Sequence, residues 1–435
     1  MEKTIAPFRR KVRSNVKETL KKKRPLWLSK LIFMFTILGP GLITASADND
    51  APGIATYSVA GSTYGYKLIW IILVITIGEV VIQEMAARMG AVTGKGTADL
   101  IRERFGVKIS TFAMICLLIG NIATTIAQFA GVAAAGELFG ISRYITVPIA
   151  AVVMTFIILK AEYKYVERVL LVLCLASLSY VAAVFAIKPD WLEIGKAIIT
   201  PSFQLNGPFL VTMLAVIGTT ITPWGIYYLQ ASIADKGVDM KEYKYTRIDV
   251  GFGAAWGNII SAFILIVTAA TLYVAGIAVT DAKEAAQALQ PLAGNASTIL
   301  FSIGLLGASL LAVSVLPLST TYAFCEAYGF ERGLNRKVKE APVFYGLLIV
   351  IMVIGSLVVL IPGAPLFTMM ILSQTVNAIL LPIVLVLVLK IANNKQVMGK
   401  YTNSKLTNIF AILITVMIVL VTIALFFEPL LNKIV

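Results

Sequence analysis

Long apolar segments separated by short polar ones dominate the chain. A membrane-spanning helix needs about 20 mostly apolar residues, and this criterion predicts eleven spans. They lie near 31–60, 65–87, 109–137, 144–160, 168–187, 208–230, 250–277, 297–325, 343–361, 367–389 and 408–428. Backbone groups in lipid must form hydrogen bonds within the protein, and no ten-residue alternation typical of a barrel is present. The pattern therefore predicts an all-α integral membrane protein.

Polar and helix-breaking residues interrupt two of these spans at corresponding positions. Residues 48–53 (Asp-Asn-Asp-Ala-Pro-Gly) interrupt the first span, and residues 222–225 (Thr-Pro-Trp-Gly) interrupt the sixth. Because the breaks are five spans apart, the second unit of five crosses the bilayer in the opposite sense. Paired interrupted helices in two halves of a chain are typical of a transporter site, where unwound carbonyls and helix ends meet at the midplane.

Carboxylates in the first break indicate that the site binds a cation. Asp48 and Asp50 flank Asn49 at membrane depth, where charged groups are costly unless they are used. The span contains no His and no nearby Arg or Lys to neutralise them. Glu79 in the second span has no evident partner, so it is expected to be protonated or to face a water-filled path.

Neutral polar residues also occur within the spans. Gln374 and Asn377 are three residues apart and share one helix face. A second stripe in span 3 is expected to form hydrogen bonds between packed helices. Its members are Asn121, Thr124, Thr125 and Gln128.

Composition narrows the function further. Of 435 residues, 58% are hydrophobic and 14% charged, which excludes a soluble enzyme, a nucleic-acid binder and a disordered chain. The chain has no His and three scattered Cys, so the site must use oxygen ligands. The enzyme motifs His-Glu-x-x-His, Gly-x-Ser-x-Gly and the P-loop are absent, and no sizeable soluble region could serve a receptor. A transporter without a cofactor is therefore expected.

The distribution of basic residues predicts the orientation. Residues 1–30 and the loops after the even-numbered spans carry 31 of the 37 Lys and Arg. The positive-inside rule then puts the N-terminus in the cytoplasm and the C-terminus outside. Residues 1–30 form a basic tail that could bind anionic lipid, but it is interpreted as a topology signal. We expect a monomer in the plasma membrane of a bacterium.

At these motifs the chain resembles the Nramp family of divalent-metal transporters. The similarity is carried by residues 39–66 around the first break, 86–95, 217–218 and 372–382, and it extends over nearly all of residues 30–430. It implies one transmembrane domain (31–430) with a LeuT-type fold. That fold has two inverted repeats of five helices, 31–187 and 208–389, with broken helices 1 and 6 and an extra helix at 408–428.

The chain departs from the family's motifs at the site itself. The family's Asp-Pro-Gly-Asn reads Asp50-Ala51-Pro52-Gly53, and its Met-Pro-His reads Thr222-Pro223-Trp224. An acidic pair in the family's third span is replaced by Thr125 and Gln128. Loss of the soft thioether favours hard oxygen ligands and Mg²⁺, which keeps several waters, and the small Gly53 leaves room for them. These changes resemble the Nramp-related magnesium transporters, which do not couple Mg²⁺ uptake to protons.

The sequence thus predicts an importer of Mg²⁺, also passing Mn²⁺, that works by alternating access. The predicted metal residues are Asp50, Thr222, Thr219, Ala47, Gly53 and Gln374. The predicted outer-shell or access-path residues are Asp48, Asn49, Asn377, Trp224, Glu79 and Gln128. Two alternatives stay open, a carrier of Mn²⁺ or another metal such as Al³⁺, and a Na⁺-coupled carrier of an organic solute on the same fold.

Overall fold

The computed structural model describes residues 49–159, 175–238, 240, 243–334 and 336–431. Helices occupy each predicted span as far as these residues reach, and no β-strand occurs among them. The α-helices are α1 Ala51–Tyr64, α2 Ile69–Thr93, α3 Thr97–Leu138, α4 Arg143–Leu159, α5 Leu178–Ile187, α6 Trp191–Ile199, α7 Gly207–Thr220, α8 Pro223–Asp235, α9 Tyr243–Thr268, α10 Ala282–Gln287, α11 Gln290–Ala293, α12 Ser297–Tyr328, α13 Pro342–Val359, α14 Leu366–Ala392, α15 Lys395–Met398 and α16 Lys405–Leu431. The predicted all-α class is confirmed.

Eight helical stretches in the described residues are long and apolar enough to cross a membrane. The first, Ala51–Thr93, contains α1 and α2 joined by a 3₁₀ turn at Gly65–Leu68. Another, Gly207–Asp235, contains α7 and α8. The described parts of α4 and α5 are apolar but shorter, and they border residues 160–174, which the structure does not describe. With α1 and α2 counted as one stretch, this accounts for the difference from eleven predicted spans.

The long helix α3 changes direction near its start. Gly106 has φ 78° and ψ 177°, which is not a helical conformation. Glycine adopts a positive φ without the steric cost that other residues meet. The predicted span 109–137 begins just after this kink, so the preceding turns from Thr97 form a separate segment before the transmembrane part.

The interrupted pair α7 and α8 lies at the centre of the molecule. In its most apolar 18-residue segment, 94% of the residues are buried inside the protein, whereas in the corresponding segment of α16 only 28% are buried. The helix α7 packs against α1 and α14, and α3 packs against α12 and α14. Chain breaks placed at the centre of a helical bundle are shielded from lipid, which is where unwound backbone is tolerated.

Part of the predicted organisation lies outside the described residues. This applies to the basic tail 1–30, the first half of span 1 and the site residues Ala47 and Asp48. The predicted boundaries of the two repeats likewise remain predictions.

Candidate metal site at the helix breaks

The break in the sixth span overlaps the predicted one at Thr222, but the predicted residues 223–225 are helical and belong to the start of α8. The helix α7 ends at Thr220, Ile221 and Thr222 are extended, and α8 begins at Pro223. Pro at the first position of a helix has a suitable φ and needs no hydrogen-bond partner for its nitrogen. In a continuous helix the carbonyl of Thr219 would accept from residue 223, but proline has no N–H to donate. The break therefore leaves the Thr219 carbonyl without that partner.

Asp50 and Thr222 each cap the N-terminus of a helix, Asp50 that of α1 and Thr222 that of α8. One carboxylate oxygen of Asp50 accepts from the backbone N–H of Gly53 at 2.8 Å. The hydroxyl of Thr222 accepts from the N–H of Gly225 at 3.3 Å. Both side chains are buried, 4% and 7% exposed. Their oxygens therefore have fixed directions and retain further lone pairs for a cation or its water.

Gln128 connects Asp50 to the third span. Its side-chain amide on α3 donates a hydrogen bond to the second carboxylate oxygen of Asp50. Gln128 is fully buried, and its own carbonyl oxygen has no hydrogen-bond partner among the described residues. Each carboxylate oxygen of Asp50 thus has a neutral donor, and the amide oxygen of Gln128 is available nearby.

Gly53 contributes a donor to this arrangement. Its N–H is used by Asp50, and as the third residue of α1 it lies within the first helical turn. A glycine has no side chain with which to replace the family's Asn ligand. Pro52 and Gly53 belong to the first turn of α1, so the helix begins directly after Asp50.

Asn49 and Glu79 meet in a polar cluster beside the break. Asn49 donates to the carbonyl of Gly257 at 3.1 Å and accepts from Ser261 at 3.0 Å. Glu79 accepts from Gln83 at 2.5 Å and also from Asn258. The expectation that Glu79 has no evident partner is therefore wrong, since neutral amides donate to both of its carboxylate oxygens. Packing of α2 against α9 brings Asn258 to it.

The cluster surrounds a very small internal cavity. Its volume is about 10 Å³, the space of a single water molecule. Asn49, Glu79 and Thr219 line it together. The hydroxyl of Thr219, 1% exposed, has no hydrogen-bond partner among the described residues. The structure thus brings three of the predicted residues together around one small polar space.

Gln374 and Asn377 share one face of α14, as their spacing predicts. The amide of Asn377 donates to Gln374 at 3.1 Å and to Thr124 of α3 at 2.8 Å. Asn121, also on α3, donates to Thr320 at 2.7 Å. The polar stripe of span 3 therefore forms hydrogen bonds between helices. One of them, from Asn377 to Thr124, joins α14 to α3.

Trp224 fills the place of the family's His with an apolar ring. It is 1% exposed, and its ring centroid lies 6.2 Å from that of Tyr228. The indole N–H has no hydrogen-bond partner in the described part of the chain. Because indole nitrogen only donates, Trp224 cannot ligate a cation.

Sequence reasoning missed the contributions of Tyr57 and of α9. The hydroxyls of Tyr57 and Thr220 lie 2.6 Å apart and join α1 to α7. On α9, Asn258 and Ser261 hold Glu79 and Asn49. Their three-residue spacing in an apolar span was the available signal, because residues at i and i+3 share a helix face.

A close backbone contact positions α14 against the sixth-span break. A methyl group built on Gly218 would lie 2.0 Å from the carbonyl oxygen of Gln374. No other residue fits there without moving the two helices apart. Gly218 therefore brings Gln374 next to the last turn of α7.

Replacing Gly218 with Ala should lower the thermal stability of the purified protein. Overpacking of this kind costs about 1–3 kcal/mol. The matched control is Gly346→Ala in α13, where a methyl group would meet no atom within 4 Å. Thermal unfolding in detergent compares them, and equal midpoints for the two variants would contradict the contact.

An acidic cavity lies on one side of α8. It has a volume of about 210 Å³ and is lined by Tyr227, Ser319, Asp235 and Glu326, among others. Arg332 forms a salt bridge to Glu326 at 3.0 Å at this end of the molecule. The cavity extends along α8 away from Trp224, and Lys236 lies in its lining together with the two carboxylates.

Comparisons with known proteins place the chain in a family. The profile described as "Natural resistance-associated macrophage protein-like", Nramp, matches residues 41–428. A divalent metal cation transporter, MntH of Bacillus subtilis (strain 168), is 31% identical over 399 residues, covering 89% of this chain and 90% of the relative. MntH of Yersinia pestis (strain Pestoides F) is 26% identical over 406 residues, covering 91% and 95%.

Solved structures share the fold. The manganese transporter of Eremococcus coleocola, in complex with an aromatic bis-isothiourea substituted compound, superposes with a TM-score of 0.74 at 19% identity, covering 92% of this chain and 87% of that one. Inward-facing Mhp1 gives a TM-score of 0.54 at 16% identity, covering 81% and 76%. Together with the sixth-span break, these similarities confirm a LeuT-type fold, and the chain belongs to the Nramp family of multi-pass divalent-metal transporters, which are not enzymes.

Proposed function

We propose that this protein imports Mg²⁺, and also passes Mn²⁺, by alternating access and without moving protons. The observation that carries the proposal is the buried carboxylate of Asp50 at the first break, which is hydrogen-bonded by the neutral donors of Gly53 and Gln128. Among the described residues no three His, Cys, Asp or Glu side chains are grouped so that they could hold a metal. Mg²⁺ is usually bound through one or two carboxylates and retains several waters.

Asp50 is the principal ligand in this proposal. Thr222 supplies its hydroxyl, and Thr219 supplies the carbonyl that Pro223 leaves without a helical partner. Gln374 closes the site from α14, held near α7 by the contact at Gly218. Ala47 adds a carbonyl from the first break, and Gly53 provides space for the waters of a hydrated ion.

The remaining predicted residues position the proposed ligands or line the path of the ion. Gln128 orients Asp50 through its hydrogen bond, and Asn377 orients Gln374. Asn49 and Glu79 hold the polar cluster beside the break, and Asp48 lines the access path. Trp224 seals the apolar side of the site at the start of α8. The acidic cavity along α8 gives the ion a route towards the cytoplasm.

The membrane potential supplies the driving force in this proposal. Across a plasma membrane that is negative inside, Mg²⁺ moves inward down the electrical gradient. The potential contributes about 2.3 kcal/mol per charge per 100 mV, thus about 4.6 kcal/mol for a divalent ion. This term drives uptake without a second ion, and a single polypeptide contains every group that the proposed pathway uses.

Transport of Mn²⁺ as the main cargo is the second candidate. Its support comes from the relatives, because the E. coleocola protein of the same fold is a manganese transporter. Carboxylate, carbonyl and water ligands suit both Mg²⁺ and Mn²⁺. What favours Mg²⁺ is Thr222, which offers a hydroxyl where the family's motif has a thioether.

Uptake of Mg²⁺ into liposomes should occur without proton movement. The groups that would exchange protons near neutral pH are replaced in this chain by Gln128 and Trp224, and there is no His. A trapped Mg²⁺ indicator and a trapped pH dye, read in the same vesicles, measure both fluxes. We expect Mg²⁺ entry with an unchanged internal pH once the membrane potential is clamped.

The informative comparison is the Gln128→Glu variant. It puts a second carboxylate beside Asp50, and two carboxylates in contact share a proton. Uptake by this variant should become pH-dependent while the parent protein stays independent of a proton gradient. Acidification that accompanies Mg²⁺ entry in the parent protein would contradict uncoupled transport.

A further inference from the structure

A basic groove opens where three transmembrane helices reach the same side of the bundle. It has a volume of about 380 Å³. Its walls come from the last turns of α2, the first turns of α9 and the segment 400–407 at the start of α16. Both α9 and α16 pack against α2, which forms the floor between them. None of its lining residues belongs to the proposed metal site.

The floor of the groove is held in place by Arg88. This side chain forms a salt bridge to Glu84 at 3.1 Å and donates to Asn403 at 2.6 Å and to the carbonyl of Tyr401. Glu84 also accepts from Tyr243. These contacts tie α2 to α9 and to the segment before α16, so the groove is formed before any ligand binds.

Two cations lie at the rim of the groove. Arg247 of α9 and Lys400 on the opposite wall are exposed, and neither forms a salt bridge or hydrogen bond with a residue that the structure describes. The ammonium group of Lys400 lies over the ring of Tyr401, 5.3 Å from its centroid. With Arg88 against Glu84 on the floor, the lining carries a net charge of +2.

Hydroxyl groups accompany these charges on the α16 side. Thr402, Ser404 and Thr407 line the groove. The hydroxyl of Ser404 accepts from the N–H of Thr407 at the first turn of the helix. Cationic side chains together with hydroxyl donors form a suitable lining for the oxygens of a phosphate group.

Apolar side chains continue from the rim along the outer faces of the two helices. Ile248 and Phe252 of α9 are 58% and 50% exposed, and Leu406 and Phe410 of α16 are 67% and 41% exposed. Each pair is four residues apart and so lies on one helix face. Gly251 keeps the floor open, since a methyl group there would meet Val80 only at 3.9 Å. A phosphate at the rim could therefore have acyl chains that descend along both helices.

We propose that this groove binds an anionic phospholipid, with its headgroup phosphate between Arg247 and Lys400. Unpaired cations, hydroxyl donors and adjoining lipid-facing apolar surfaces occur together here. Basic pockets between transmembrane helices on the cytoplasmic side suit such headgroups. The lipid would bridge α9 and α16, two helices that the protein itself joins mainly through α2.

Native mass spectrometry of the full chain, titrated with phosphatidylglycerol, tests the proposal. Each cation near a headgroup contributes about 1 kcal/mol, which is about fivefold in affinity, so Arg247→Gln with Lys400→Gln should raise the dissociation constant about thirty-fold. The control is Lys337→Gln with Lys339→Gln, two exposed lysines in the loop before α13. It removes the same charge and should change the dissociation constant less than threefold.

Two further measurements, on a Gly251→Leu variant and with inorganic phosphate as competitor, test whether the ligand is a lipid and whether the effect comes from misfolding. Gly251→Leu keeps both cations but fills the groove, and it should also weaken lipid binding. Inorganic phosphate at the lipid's concentration should not displace it, because it has no acyl chains. Unchanged affinity in the Arg247/Lys400 variant, or equal displacement by inorganic phosphate, would overturn the proposal.

Discussion

Replacing Asp50 with Asn should reduce Mg²⁺ transport about 100-fold or more while the protein stays folded. The carboxylate is the one negative group in the proposed ligand set, and loss of even an outer-shell partner commonly costs 10–100-fold in metal affinity. Asn caps a helix as well as Asp does, so α1 keeps the cap that Asp50 now provides through Gly53. Transport in liposomes and binding by calorimetry measure the effect.

The control for this variant is Asp190→Asn. Asp190 also caps a helix N-terminus, since it accepts from the N–H of Leu192 at 2.8 Å, but it is exposed on the surface at α6. It should transport at the rate of the parent protein. If the Asp50 variant retained rapid uptake, Asp50 could not be the principal ligand.

Replacing Thr222 with Met should change the preference between metals. The thioether is a soft ligand that favours softer ions, while the lost hydroxyl is a hard ligand that suits Mg²⁺. We expect the ratio of Mn²⁺ to Mg²⁺ uptake to rise about tenfold, which corresponds to about 1.4 kcal/mol. Competition between the two ions in the same liposomes gives this ratio directly.

Loss of the helix cap must be separated from gain of the thioether. Thr222 accepts from Gly225, and removing such a cap costs about 1 kcal/mol. Thr222→Val loses the hydroxyl without adding sulfur, so it should slow transport of both ions and raise the ratio of Mn²⁺ to Mg²⁺ uptake much less than Thr222→Met does. If the Val and Met variants shift the ratio equally, the thioether has no part in selectivity.

The fold could be predicted because lipid imposes simple rules. Apolar length sets the spans, and Pro52 and Pro223 mark the helices that follow the breaks. The sixth-span break lies directly before Pro223, since proline can begin a helix but cannot continue one, whereas the predicted break extended three residues too far, to Gly225. The kink at Gly106 was not predicted, because a single glycine in an apolar helix is often tolerated and its φ depends on how the segment packs.

Only part of the candidate metal site could be predicted from the sequence. The hydrogen bond between Gln374 and Asn377 follows from helical spacing, which is a local rule. The partners of Glu79 could not be found, because Asn258 is 179 positions away and is brought to it by packing of α9 on α2. The contact between Gly218 and Gln374 could not be predicted either, since it depends on how closely α7 and α14 approach each other.

The most direct test of the account is Mg²⁺ influx into sealed liposomes that contain the purified protein. A trapped Mg²⁺ indicator reports entry under an inside-negative potential, and protein-free liposomes and the Asp50→Asn variant serve as controls. The account predicts rapid entry of Mg²⁺ that only the parent protein supports. Exclusion of Mg²⁺ while Mn²⁺ enters would contradict it and identify a carrier selective for transition metals.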